Sequence, residues 1–143
     1  MNAKTYLEQV EKIDRMIANK QAEAEQWMAI ATSSTAAMDG NERVQASGNP
    51  QKMADAIDRY VDIQREIDAE IDRLIDTKQQ VIRTIEQLPA IEYDVLHKIY
   101  IQYKDFKEVS SEHGKAYTWA TTIHGRALKN LQNILNKRGE HDD

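Results

Sequence analysis

Along the first 89 positions the apolar residues advance by alternate steps of four and three, the period of a helical seam and not of a strand. Tyr6, Val10, Ile13, Ile17, Lys20, Ala24, Trp27 and Ala31 make the first series. The run "STAAMDGNERVQASGNPQ" interrupts it, with Gly40, Gly48 and Pro50 as breakers. Met53, Ile57, Tyr60, Gln64, Ile67, Ile71, Leu74, Lys78, Val81, Ile85 and Leu88 then resume the same steps and stop at Pro89. A seam sustained this long, with charge everywhere else, predicts a coiled coil. The 34–50 connection is long enough to fold it back as an antiparallel hairpin. The polar entries Lys20, Gln64 and Lys78 weaken the seam and fix register or partner number. The second helix is expected to outrun the first, and Ile63, Ile75 and Ile82 add an apolar edge beside its seam. Self-association is the simplest use of that excess. It is expected through Met53, Ile57, Tyr60, Ile67, Ile71, Leu74 and Val81.

Beyond Pro89 the elements shorten. "AIEYDVLHKIYIQ" places Ile91, Val95, Leu96, Ile99 and Tyr100 on one face. "DFKEVSSEHG" places Phe106 and Val109 together, with Asp105 as N-cap and Gly114 as terminator. "AYTWATTIHGRALKNLQNILNK" buries Ala120, Ile123, Ala127, Leu131 and Ile134. Two helices joined by a short turn containing Gly are a helix-turn-helix. The expectation is therefore all-α. Residues 1–88 form a long helical hairpin or coiled coil, 89–138 a three-helix bundle with a helix-turn-helix, and 139–143 a disordered tail.

Charge changes the picture in the second half. Residues 1–89 carry 11 basic and 16 acidic side chains, whereas 90–138 carry 8 basic and 5 acidic. An acidic half joined to a basic one points to nucleic acid at one end. The chain has no Cys, so thiol chemistry, disulfides and Cys-based zinc sites are excluded. His97, His113, His124 and His141 lack the paired helical spacing of a metal site. His113 is expected to pack in the bundle, Trp27 and Tyr60 in the hairpin, and Trp119 to pack on the bundle or stack on a sugar-phosphate edge. Asp62, Glu66, Asp68, Glu70, Asp72 and Asp76 alternate with Arg65 and Arg73, as on a solvated coiled-coil face. No phosphate loop, nucleophile elbow or dinucleotide fingerprint occurs. With no signal peptide and no membrane-length apolar run, the chain reads as a cytoplasmic protein, not an enzyme, using no cofactor or metal.

From His113 to Arg138 there are five Lys or Arg residues and no acid. A recognition helix presents hydrogen-bonding side chains to base edges and cations to phosphates, and an acid there would face phosphate. With Ala120 and Ile123 inward, the outward side shows Tyr117, Thr118, Thr121, Thr122 and Gly125. Lys115 lies in the turn, and His124, Arg126 and Lys129 follow along the flank. The plainer alternative is a solvated basic face on an ordinary bundle.

The run "EYDVLHKIYIQYKDFKEVSSEHGKAYTWATTIHGRALKNL" resembles region 4 of bacterial sigma factors, through the "VL…Y" helix, "FKEV", Gly114 and "TTIHGRALKNL". The whole layout, including "MADAIDRYVDIQREIDAEIDRLID" and "ERVQASG", is similar to small proteins of temperate phages of Gram-positive bacteria, related to ArpU/RinA-type late transcriptional regulators. The resemblance implies base-reading positions at Tyr117, Thr118, Thr121 and Thr122. It also implies control of packaging or lysis genes in a bacterial host, and RNA polymerase as a further partner. Sigma factors commonly carry Arg and Glu where Tyr117, Thr118 and Thr121 stand, so a different DNA element would be read. Ala116 occupies the usual Ser or Thr N-cap position, a cost of about 1 kcal/mol to the helix. Ser110 replaces the usual Ala or Gly at the helix crossing.

The expected activity is thus sequence-specific binding of double-stranded DNA by a homodimer that regulates transcription. The rival is a coiled-coil module that grips a host or phage protein, with the helix-turn-helix as scaffold.

Overall fold

The computed structural model describes residues 1–36 and 50–142, and the "ERVQASG" run in the connection lies outside them. The described residues form five α-helices and no strand. They are α1 (Ala3–Ala36), α2 (Pro50–Ile85), α3 (Ala90–Leu96), α4 (Phe106–Glu112) and α5 (Tyr117–Asp142), with a π-helical turn at His97–Ile101. The architecture is all-α, a long N-terminal pair of helices followed by a small bundle.

Two lengths differ from expectation. Helix α1 has 34 residues and α2 has 36, so the second outruns the first by only two residues. No Gly or Pro stands between Ala31 and Ala36 to stop α1. Helix α5 runs on to Asp142, through most of the segment expected to be a disordered tail.

The chain forms two compact units, Asp14–Arg73 and a discontinuous one of Met1–Ile13 with Leu74–Asp143. Within Asp14–Arg73, α1 and α2 run antiparallel. Lys20 Nζ lies 3.4 Å from a Glu66 carboxylate oxygen and Arg59 Nη2 lies 3.3 Å from one of Glu23. Rising along α1 thus means descending along α2. Ile17, Ala24, Ala31, Ala56, Ile63 and Ile67 are buried there. Three of these six are Ala, and small side chains let helix axes approach closely. The ion pairs are exposed and stabilise little.

In α1 the expected seam is buried or half-buried from Tyr6 to Ala31. In α2 it is not. Ile67, Val81, Ile85 and Leu88 are buried, and Met53, Tyr60 and Leu74 are half-buried. Ile57 and Ile71 are 43% and 38% exposed. The line that packs passes through Ala56 and Ile63, one step round the helix. Of the residues expected to oligomerise, Ile67 and Val81 are therefore consumed inside their own chain. Ile63 and Ile75, expected on one edge, separate: Ile63 is fully buried and Ile75 is 49% exposed.

In the discontinuous unit one core joins both chain ends to the bundle. Tyr6, Leu7 and Val10 of α1 pack with Val81 and Ile85 of α2, Leu96, Tyr100, and Ala127 and Leu131 of α5. The boundary expected at Leu88–Pro89 falls inside this core, with Leu88 itself part of it. Polar groups enclosed by it are partnered. Thr84, with no exposed surface, meets the Tyr6 hydroxyl at 2.8 Å and accepts from Arg138 Nη2 at 2.8 Å. The backbone N–H of Ala3 donates to Gln132 Oε1 at 2.7 Å, tying the first turn of α1 to α5.

Candidate nucleic-acid interface

The helix-turn-helix builds up from local signals. Asp105 caps α4 by accepting from the Glu108 N–H at 2.8 Å. Gly114 ends the segment with φ +66°, a left-handed turn that a Cβ would strain. The Lys115 N–H then donates to the Ser110 carbonyl at 2.8 Å, closing the turn. A second core of Val95, Val109, Ala120 and Ile123 holds α3, α4 and α5 together, with Phe106 and Trp119 against it. The His113 and Trp119 rings lie 4.7 Å apart and both residues are half-buried, with Trp119 packed against the second core.

Ser110 is only 1% exposed, and it does more than fit a close crossing. Its hydroxyl donates to the Tyr117 carbonyl and accepts from the Ala120 N–H, both at 3.2 Å. Ala116 offers no side-chain oxygen to the first turn of α5, and Ser110 partly replaces it from the neighbouring helix. The absent cap at Ala116 was the sequence signal that such a group was needed.

Ala120, Ile123, Ala127 and Leu131 are buried, which turns Tyr117, Thr118, Thr122 and Gly125 outward and leaves Thr121 half-buried. Tyr117 is 56% exposed, its ring edge-on to Phe106 at 6.2 Å. The Thr121 and Thr122 hydroxyls both donate to the Thr118 carbonyl, at 2.8 and 2.9 Å. Their protons are thus committed to the helix, and what remains outward is oxygen lone pairs and methyl groups. Lys115 and Lys129 are exposed and carry no ion pair among the described residues.

Two expected members of the surface are engaged elsewhere. His124 accepts from or donates to the Tyr100 hydroxyl at 2.6 Å, stacks on that ring, and meets the Phe106 edge at 5.1 Å. Burial lowers its pKa, with help from Lys4, while burial pushes the Tyr100 phenol up to about 12, with help from Glu8. At neutral pH the tyrosine is therefore the donor and His124 a neutral acceptor, so it is no phosphate-facing cation. Arg126 is half committed. Its Nε lies 3.1 Å from Oε2 of Glu92, which is 3% exposed, while Asn130 Nδ2 donates to Oε1 at 2.7 Å. The guanidinium neutralises a buried carboxylate and ties α5 to α3, although its side chain stays 53% exposed. The apolar spacing gave no warning that Glu92 is buried.

Of the basic groups nearer α4, Lys98 and Lys104 are also spoken for, whereas Lys107 is exposed. Lys98 pairs with Asp94 at 3.0 Å and Glu112 at 3.4 Å, and Lys104 pairs with Glu112. His113 Nε2 meets the same Asp94 carboxylate at 2.6 Å. Partial burial pulls the Asp94 pKa up, yet hydrogen bonds from Lys98 and His113 win and hold it below the usual value. The acid-free stretch therefore covers the turn and α5 as far as Gly139. No group of His and acidic residues suited to a metal occurs among the described residues, and none of their helices is long and apolar enough to cross a membrane. The chain has no significant match among protein-family models, curated proteins or solved structures.

Proposed function

We propose that this protein binds double-stranded DNA sequence-specifically, as a homodimer, with α5 in the major groove. The observation that carries this reading is the first two turns of α5. There Tyr117, Thr118 and Thr122 are exposed with Thr121 half-buried beside them, between Lys115 and Lys129, which carry no ion pair among the described residues, on a stretch of chain without acids. Small hydroxyl side chains approach base edges closely, and a threonine methyl suits the thymine methyl. Since both Thr121 and Thr122 protons are held by Thr118, the hydroxyl oxygens are acceptors, which fits adenine N6 or cytosine N4 donors. The resemblance to phage regulators extends the proposal to transcription control of late genes in the bacterial cytoplasm, with RNA polymerase contacted. Replacing Thr121 and Thr122 together with Ala tests it. Discrimination between selected operator and random DNA should fall by about tenfold or more, at 1–3 kcal/mol per well-made base contact, while random-DNA affinity holds. Equal losses on both DNAs would remove these residues from base reading.

A second reading has its own support. The exposed Ile57, Val61 and Ile71 on α2 suit a protein partner as well as a second copy. Failure of any DNA to compete in a salt-dependent binding assay would favour it.

A further inference from the structure

Helix α2 carries an apolar stripe that its own chain leaves uncovered. Counting about 100° per residue, Val61, Gln64, Asp68 and Ile71 lie within about 40° of one line, with Ile57 and Ile75 continuing it at either end. Ile57, Val61, Ile71 and Ile75 are 43%, 41%, 38% and 49% exposed. The buried line of Ala56, Ile63 and Ile67 runs about 100° away. The stripe is symmetric about position 66. Ile57 and Ile75 stand equally far from it, as do Val61 and Ile71, and Gln64 and Asp68.

We infer that a second copy of this chain covers the stripe, with the two α2 helices antiparallel about a two-fold axis level with Glu66. A two-fold contact is self-complementary: whatever residue i meets, its copy meets in return. Val61 then packs on Ile71 of the other copy, and Ile57 on Ile75. All four are β-branched, stiff side chains that suit seam positions. The centre decides the occupant. Asp68 faces Gln64 and the neighbouring Arg65 of the second copy, a donor and a cation for its carboxylate. Parallel pairing would set Asp68 against Asp68, and an apolar groove on an unrelated protein would enclose it without a partner. Asp58 and Asp72 approach each other only at the solvated rim, where salt screens them.

This inference deepens the two-copy part of the proposal above and is read without DNA, so the two can fail separately. The chain has no Cys, which allows clean cross-linking with Val61→Cys and Ile71→Cys made as separate variants, one carrying a mass tag. Oxidised together, they should form the tagged–untagged disulfide pair. Oxidised alone, each should stay uncross-linked. Like positions would lie about 15 Å apart along the axis, beyond the roughly 7 Å reach of a disulfide. Cross-linking of Val61→Cys with itself, or a dimer that cross-links in neither arm, would overturn the antiparallel register and leave two-copy DNA binding standing. Sedimentation of the parent chain as a monomer at tens of micromolar would overturn both the register and the homodimer.

Discussion

Basic residues on one helix face are not interchangeable when one of them already answers a buried acid. Arg126→Ala would leave the Glu92 carboxylate, 3% exposed, with only Asn130, and should destabilise the fold by about 2 kcal/mol. Lys115→Ala and Lys129→Ala remove exposed, unpaired charges and should leave stability within about 0.5 kcal/mol. On DNA the order reverses: each lysine variant should lower the slope of log affinity against log salt by about one unit. Thermal melts and salt-series binding on the same three proteins separate the roles, and a lysine with an unchanged salt slope is off the interface. His124 makes a pH prediction. Its folded pKa is depressed from the ordinary 6.5, so on acidification the unfolded chain takes up its proton first. Stability from this site is whole above about pH 6.5 and declines until the lower folded pKa is passed. His97, also lowered by burial, adds a loss of the same sign. His124→Gln should therefore melt with a shallower fall in Tm between pH 7.5 and 5 than the parent. Parallel falls would mean that His124 titrates normally.

Helix α5 begins where propensity alone would let it fray. Ser110→Ala removes the hydroxyl that bridges the Tyr117 carbonyl and the Ala120 N–H. The expected cost is about 1–2 kcal/mol, with amide exchange rising most at Trp119 and Ala120. Uniformly faster exchange along α5 would instead make Ser110 a general packing residue. Operator affinity should drop with Ser110→Ala although that side chain faces no DNA, because Tyr117 and Thr118 ride on the same turn. Elements of this kind were legible from the sequence as far as local physics reaches. The Asp105 cap, the Gly114 turn and the inward face of α5 all follow from short-range rules, and all are present. The phase of α2 was not legible. It has apolar residues on two adjacent stripes, and which one packs depends on α1, about which α2's own periodicity says nothing. The engagement of His124 and Arg126 inside the bundle was not legible for the same reason. Their partners, Tyr100 and Glu92, are 24 and 34 positions away.

For the whole molecule, the two faces of α2 separate folding from assembly. Ile67 is 4% exposed and Ile71 38%. Ile67→Asp should cost the hairpin about 3 kcal/mol or more, since its charge is enclosed without a partner. Ile71→Asp should leave the helical circular-dichroism signal and melting of dilute protein nearly unchanged while halving the sedimenting mass. Loss of structure in both would mean that the chain folds only as it pairs. The discontinuous unit has a different consequence, concerning the order in which the chain is made. Ala3, Tyr6, Leu7 and Val10 leave the ribosome well before Ala127 and Leu131, which share their core. The N-terminal turn cannot be finished by its near neighbours. Its apolar side chains stay only partly covered until α5 has been made, and a message truncated before α5 yields a polypeptide in which they meet Val81, Ile85 and Leu96 but lack Ala127 and Leu131.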